Sequence, residues 1–185
     1  MMKSATALGR YPAARPLTGE QVTEYHASRL LLLLYLSNRN HRVDGLTKLA
    51  KLDFFVRYPD FFARAAEHLG HGGQRACTGS VDSAMVRYRY GPWDPRYYQV
   101  LGFLEGRALI TVAKKKKAFV FTLTDEGGRL AKKLIQSDVF RELTAHITSV
   151  KTVLGGKTGD AIKRLVYELF DEEVARLPLG EAIRP

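Results

Sequence analysis

The sequence predicts an α+β fold that is mostly α-helical and carries a small sheet. Three observations support this prediction. Apolar residues recur at helical spacing in several segments, tyrosine and valine alternate with arginine along residues 86–90, and two β-branched and aromatic runs flank a lysine turn at residues 114–117. The chain has 185 residues, of which 45% are hydrophobic and 26% charged, so it is long enough to bury one core.

Apolar spacing and turn residues predict three helices in the first half of the chain, over residues 19–37, 45–58 and 61–69. Thr18 and Gln21 fit a capping box at the start of the first helix, whose leucine-rich second half is predicted to be buried. Asp44 is predicted to cap the second helix. Pro59 is predicted to end that helix, because proline disfavours helical geometry in the residue before it. Residues 70–83 are rich in glycine and predict a loop.

The middle of the chain predicts a strand, a helix and a hairpin. Residues 86–90 alternate as a strand does, and residues 91–93 contain Gly and Pro and predict a turn. Asp94 is predicted to cap the next helix. The lysine hairpin follows, and Thr124 is predicted to cap a further helix that ends near residue 136.

This order of elements predicts a winged-helix domain with a two-stranded basic wing and additional C-terminal helices. Two amphipathic helices are predicted from the spacing of the apolar residues after position 138. They should bury an apolar stripe against the domain or against a partner. The predicted organisation is a disordered N-terminal tail (1–17), the winged-helix domain (18–136), a C-terminal helical extension (137–176) and a loose tail (177–185).

The formal net charge of +10 and the pI near 9.8 make a polyanion the first partner to test, and nonspecific double-stranded DNA is the expected one. An acidic protein would be attracted equally well. The single cysteine, Cys77, excludes an internal disulfide and fits a reducing compartment. No secretory signal or membrane-spanning run is present, so no membrane partner and a cytoplasmic location are expected.

Eight basic residues form the predicted nucleic-acid-binding set: Lys114, Lys115, Lys116, Lys117, Arg87, Arg89, Arg96 and Arg107. The lysine tip is interpreted either as a wing that lies along a phosphate backbone or as a solvated loop that protects an edge strand from aggregation. The arginines are expected either to share a face with the lysines or to lie over neighbouring tyrosines and pair with Glu105 or Asp94. Both pairs of alternatives stay open at the level of sequence.

No catalytic constellation, metal site or cofactor is predicted. Residues 156–158 copy the end of a phosphate-binding loop, but the required first glycine is Lys151, so Thr158 is interpreted as a helix cap. His68 and His71 with Cys77 match no structural-zinc spacing and are expected to be surface residues. The acidic run at 171–173 is interpreted as a solvated helix end.

Three segments resemble the winged-helix middle components of bacterial ABC-three-component defence systems, including the accessory subunit of Lamassu-type systems. They are GLTKLAKLDFFVRYPDFF at 45–62, VRYRYGPWDPRYYQVLGFLEGRALI at 86–110 and FTLTDEGGRLAKKL at 121–134. The resemblance covers about half of the chain and is sharpest at residues 52–59 and 88–95.

This resemblance implies a non-catalytic adaptor that accompanies an SMC-like or Rad50-like ATPase and an effector nuclease, and that couples nucleic-acid sensing to effector control in anti-phage defence. The alternative is a winged-helix transcriptional regulator, which the predicted fold and the positive net charge would also suit.

Overall fold

The computed structural model describes residues 22–73, 84–115 and 118–184, and within them the chain is α+β and mostly helical, as predicted. The helices are α1 (Thr23–Ser37), α2 (Leu46–Arg57), α3 (Pro59–His68), α4 (Tyr97–Gly106), α5 (Asp125–Ile135), α6 (Arg141–Leu154) and α7 (Gly159–Leu169). The strands are β1 (Arg42–Asp44), β2 (Val86–Tyr88), β3 (Gly91–Trp93), β4 (Ile110–Lys115) and β5 (Ala118–Leu123). The predicted tail 1–17, the capping box at 18–21 and residues 74–83 of the predicted loop lie outside the described residues.

The described strands form two separate antiparallel sheets. The first has the order β1-β5-β4, so that the last strand of the hairpin is central and β1 covers its other edge. Phe121 lies opposite Val43 on one side and Val112 on the other, and its buried ring joins the sheet to the core. In the second sheet, β2 pairs with β3.

The leucine run of α1 lies at the centre of the core, as its composition predicted. Leu32 and Leu34 have no exposed surface, and helices α2, α4, α5 and α6 all contact α1. The apolar stripes of the two C-terminal helices pack into the same core, where Ile147 and Ile162 are fully buried. The stripes of the predicted extension are therefore packed against the rest of the chain.

A buried network of charged groups links three elements of this core. Arg29 on α1 donates from Nε to Oδ1 of Asp53 on α2 at 2.7 Å, and the Tyr97 hydroxyl on α4 donates to Oδ2 of the same carboxylate at 2.7 Å. Arg57, one turn after Asp53, donates from Nη1 to Oδ2 of Asp94 at 2.6 Å. All five residues are at most 3% exposed. The network fixes the start of α4 against α1 and α2, because a charge in this interior is stable only with its partner present.

The predicted cap at Asp44 is wrong. The chain reaches α2 through Gly45, which occupies the cap position with φ of 93°, a backbone conformation that glycine adopts without strain. Asp44 is the last residue of β1, and its carboxylate accepts from the Arg42 guanidinium at 2.5 Å. Pro59, in contrast, ends α2 as predicted, since α2 stops at Arg57 and Pro59 is the first residue of α3.

The predicted turn at residues 91–93 is also wrong, because these residues form β3 and pair with β2. The turn lies one step earlier, at Arg89 and Tyr90. The predicted cap at Asp94 is wrong as well: α4 begins at Tyr97, so Arg96 occupies the cap position, and the Asp94 carboxylate accepts from the Arg96 backbone N–H at 2.9 Å before the helix starts. The predicted cap at Thr124 is confirmed, since its hydroxyl accepts from the backbone N–H of Gly127 at 3.0 Å.

Residues 177–185 were predicted as a loose tail, and this prediction is wrong for the part that the structure describes. The backbone N–H of Ile183 donates to the Met85 carbonyl at 2.7 Å, and Arg87 exchanges two backbone hydrogen bonds with residues 180 and 181. Ile183 is fully buried, and its carbonyl accepts from the Tyr58 hydroxyl at 3.0 Å. The segment therefore extends the second sheet along the free edge of β2.

We expect the Asp53→Asn variant to lose about 3 to 5 kcal/mol of unfolding free energy, because the buried guanidinium of Arg29 would lose its carboxylate partner. Urea unfolding measures this loss. Asp60→Asn is the matched control, since Asp60 is exposed at the start of α3 and should cost at most about 1 kcal/mol. Equal losses in the two variants would contradict the structural role of the network.

Candidate nucleic-acid interface

The lysine hairpin projects from the first sheet. Strands β4 and β5 pair along their whole length, from Ile110 opposite Leu123 to Lys115 opposite Ala118. Strand β1 pairs with β5 only over residues 120–122, so the lysine end of the hairpin extends beyond the pairing with β1. Lys114 and Lys115 are both exposed, whereas Lys116 and Lys117 lie outside the described residues.

An exposed aromatic side chain accompanies the hairpin lysines. Phe119 lies directly opposite Lys114 in the strand register and is 46% exposed. Side chains directly opposite each other in an antiparallel pair point to the same face of the sheet. Proteins that bind single-stranded nucleic acid commonly combine positive charges with aromatic rings in one binding groove. The carboxylate of Asp44 lies near Lys115. Its pKa is lowered by the hydrogen bond from Arg42 and by the positive charge of Lys115.

Arg107 lies near the base of the hairpin, directly after α4. Its guanidinium stacks over the ring of Phe103, with 4.5 Å between the guanidinium carbon and the ring centroid. The same side chain lines a groove of about 410 Å³ that also contains Glu24 and Glu126. Arg107 therefore contributes positive charge next to two carboxylates.

The other three predicted arginines are not part of the sheet that carries the hairpin. Arg87 lies in β2, Arg89 in the turn after it, and Arg96 directly before α4. Arg96 donates through Nε and Nη2 to the Asp94 carboxylate at 3.0 and 2.8 Å, so the alternative of pairing with Asp94 is confirmed for this residue. Arg87 belongs to the second sheet and donates to the carbonyl of Ala175 at 3.1 Å. Arg89 is exposed in the turn between β2 and β3. That all eight residues bind one nucleic acid stays a prediction.

A second concave site, not predicted from the sequence, lies between the start of α2 and the second sheet. We call it the aromatic cleft. It encloses about 240 Å³, and its walls carry four aromatic residues and one lysine: Tyr88, Tyr90, Trp93, Tyr98 and Lys51. The alternation along residues 86–90 had indicated an aromatic face. That spacing does not predict that the aromatic face lines a cleft. It also does not predict the participation of Lys51, which lies on α2, about forty residues earlier in the sequence.

Lys51 is the buried polar residue of this cleft. It is 2% exposed, and its ammonium donates to the carbonyl of Pro92 at 2.8 Å, which ties α2 to β3. Burial, with a smaller contribution from the positive charge of Lys163, lowers the pKa of Lys51 to about 7. The amine therefore changes its charge near neutral pH.

Two other motifs of the sequence, at residues 156–158 and 171–173, form structural contacts. Thr158 caps α7 as predicted, accepting from the backbone N–H of Ala161 at 3.1 Å. In the acidic run, Glu173 accepts from Arg64 at 2.6 Å and Asp171 from Arg176 at 2.5 Å, so two of its three carboxylates are paired. Within residues 22–73, 84–115 and 118–184, no three His, Cys, Asp or Glu side chains are arranged to hold a metal ion.

No protein-family model, curated protein or solved structure matches this chain. Among the described helices, none has the length and apolar character needed to cross a membrane.

The unfolding free energy should depend on pH through Lys51. The folded chain releases this proton near pH 7, whereas the unfolded chain keeps it until about pH 10.5. Between these values the unfolded state binds more protons, so stability rises with pH. From about pH 7 to about pH 9 this group should add about 2 kcal/mol to the free energy of unfolding.

Urea unfolding at both pH values measures this increment, which the Lys51→Met variant should lose. Lys151→Met is the control, because Lys151 is exposed on α6 and the variant should keep the increment. An unchanged pH dependence in Lys51→Met would show that the amine is not titrating near neutrality.

Proposed function

We propose that this chain is a non-catalytic adaptor subunit of an SMC-like or Rad50-like ATPase complex in anti-phage defence, in which it contacts duplex DNA nonspecifically and docks beside an effector nuclease. The proposed assembly operates in the cytoplasm. The observation that carries this proposal is the packing of the two segments in which the family resemblance is sharpest. Residues 52–59 supply Asp53 and Arg57, residues 88–95 supply Asp94, and these groups meet in the buried network.

This packing supports the resemblance for a physical reason. The two segments that resemble this family lie about forty residues apart in the sequence, and in the fold their side chains pair with one another. Arg57 reaches Asp94 at 2.6 Å and lies 3.8 Å from Asp53. Removing either partner of a buried ion pair strongly destabilises a fold, so the two segments that carry the resemblance depend on one another in this structure.

The order of elements supports a winged-helix domain. After α1, a short strand β1 precedes α2, and the later hairpin β4–β5 inserts its second strand next to β1. Helix α4 leads directly into this hairpin, which is the relation between a recognition helix and its wing. The exposed lysines at the tip of the hairpin would then follow the DNA backbone.

The charge distribution favours nonspecific binding to DNA. The net charge is +10, Lys114 and Lys115 are exposed, and binding to phosphates depends on charge and not on base identity. Sequence-selective recognition would be expected of the alternative, a transcriptional regulator, which should prefer its own promoter by about a thousandfold or more.

Replacing Lys114 and Lys115 together by alanine should weaken duplex binding and reduce the log–log salt slope by about two units, because two phosphate contacts would be lost. Fluorescence anisotropy of a labelled duplex, at several salt concentrations, measures both. The matched control is Lys151→Ala with Arg164→Ala, which removes the same charge from exposed positions on α6 and α7. Equal slopes for the two variants would mean that net charge, and not the hairpin, determines binding.

If the proposal is right, the genes that flank this one should encode an ATPase and an effector, and co-expression with them should yield a stable complex on affinity purification and gel filtration. The variant with Lys114 and Lys115 replaced should still assemble, because the proposed DNA contact is separate from docking. A chain that elutes alone from such a co-expression, and that selects its own promoter over scrambled DNA, would replace the adaptor by the regulator.

A further inference from the structure

The aromatic cleft exposes more aromatic surface than packing alone explains. Tyr88, Tyr90 and Tyr98 are 46%, 58% and 70% exposed, and together with Trp93 they line one cavity. Single exposed aromatic residues are ordinary on protein surfaces, whereas a cluster around a concavity marks a binding site. A volume of about 240 Å³ lies below the range of drug-sized pockets and suits one small planar ring system.

The walls of the cleft are held in place before any ligand binds. The Trp93 ring packs edge-on against Tyr97 at 5.0 Å between centroids, and the Tyr97 hydroxyl is fixed by Asp53 of the buried network. The ring centroids of Tyr88 and Tyr98 lie 6.0 and 5.8 Å from that of Trp93. A preformed aromatic wall can stack a planar ligand without a large cost in side-chain ordering.

The charges around the cleft select the ligand class. The Lys51 amine forms part of the lining, and the Lys163 ammonium lies 5.3 Å from the centroid of the Tyr90 ring. No carboxylate is among the described residues that line the cavity. Aromatic cages also bind quaternary ammonium groups, but the Lys163 ammonium beside the Tyr90 ring repels such a cation. A planar aromatic ring attached to an anion fits both the rings and the amines, and a nucleotide has this chemistry.

We propose that the aromatic cleft binds one unpaired base of a single-stranded nucleic acid, stacking the base on Trp93 and Tyr98 while Lys163 contacts an adjacent phosphate. A base inside a duplex is already stacked and paired, so only a single strand or a splayed nucleotide offers a free face. This inference goes beyond the proposed function, which uses the hairpin and duplex DNA. It concerns a different sheet and different residues.

Trp93 is the only tryptophan of the chain, so intrinsic fluorescence reports directly on the cleft. Titration with oligothymidylate should change the Trp93 emission with saturation. Tyr98→Ala should weaken this titration by about tenfold, the effect expected when one base–aromatic stack is removed. Tyr98→Phe is the matched control, because it keeps the ring and should keep the affinity. Tyr98 is 70% exposed, and circular dichroism should show both variants folded.

A second variant tests the charge. Lys163→Ala should reduce the salt slope of oligothymidylate binding by about one unit. A fully paired duplex without free ends should bind through the hairpin and leave the Trp93 emission unchanged.

Three results would overturn the inference. They are oligothymidylate binding without a change in Trp93 emission, an unchanged titration in Tyr98→Ala, and a response of Trp93 to a proline-rich peptide but not to oligothymidylate. The last would make the cleft a peptide groove. Each of these would leave the binding of duplex by the hairpin, and hence the proposed function, unaffected.

Discussion

The relative positions of α1, α2 and α4 depend on two arginines that lie in an apolar interior. Arg29 is 1% exposed and Arg57 is 2% exposed, and removing such charges from water costs several kcal/mol each unless carboxylates accompany them. Asp53 and Asp94 supply these carboxylates from two different segments. Burial opposes the charge of Asp94, yet the hydrogen bond from Arg96 and the charge of Arg57 lower its pKa well below the usual range. An apolar substitute could pack, but it would not demand a single relative position of α1, α2 and α4.

The two candidate binding surfaces are attached to this interior in different ways. The hairpin is an extension of the first sheet, and Phe121 and Ile110 anchor its base in the core while its lysine end remains in solvent. The aromatic cleft is attached through Trp93 and Tyr97, and therefore through Asp53. A substitution in the buried network should therefore alter the geometry of the cleft more than that of the hairpin. One surface offers exposed point charges and the other offers oriented rings, which suits them to different parts of a nucleic acid.

Local patterns predicted most of the helices, because apolar spacing and capping residues act within a few positions of one another. The leucines of α1, the cap at Thr124 and the end of α2 before Pro59 follow from such patterns. Two of the errors arise because the decisive partner lies far away in the chain. Asp44 ends a strand that pairs with β5, and Ile183 donates a backbone hydrogen bond to Met85. The error at residues 91–93 is local, because the turn forms at Arg89 and Tyr90 and Gly91 already pairs with Tyr88 of β2.

The same limit applied to the candidate sites. The lysines at 114 and 115 were predicted at the end of a hairpin, since four adjacent cations between two strand-like runs have few other arrangements. Lys51 lies within the segment predicted as the second helix, and no role is predicted for it from the sequence. Nothing near it in the chain indicates that it lies beneath Pro92 with a pKa near neutrality. Its environment is made by β3, about forty residues later.

The pairing of Ile183 with Met85, and of its carbonyl with Tyr58, has a consequence for the time course of folding. The Tyr58 contact joins residues separated by 125 positions, and closing so long a loop is entropically slow compared with forming any single helix. The contacts between α2 and α3, which are neighbours in the sequence, are therefore expected to form before the flank beside β2 closes. Until that flank closes, the backbone of the β2 edge would be available to other chains, so we expect this side to be exposed to aggregation during folding.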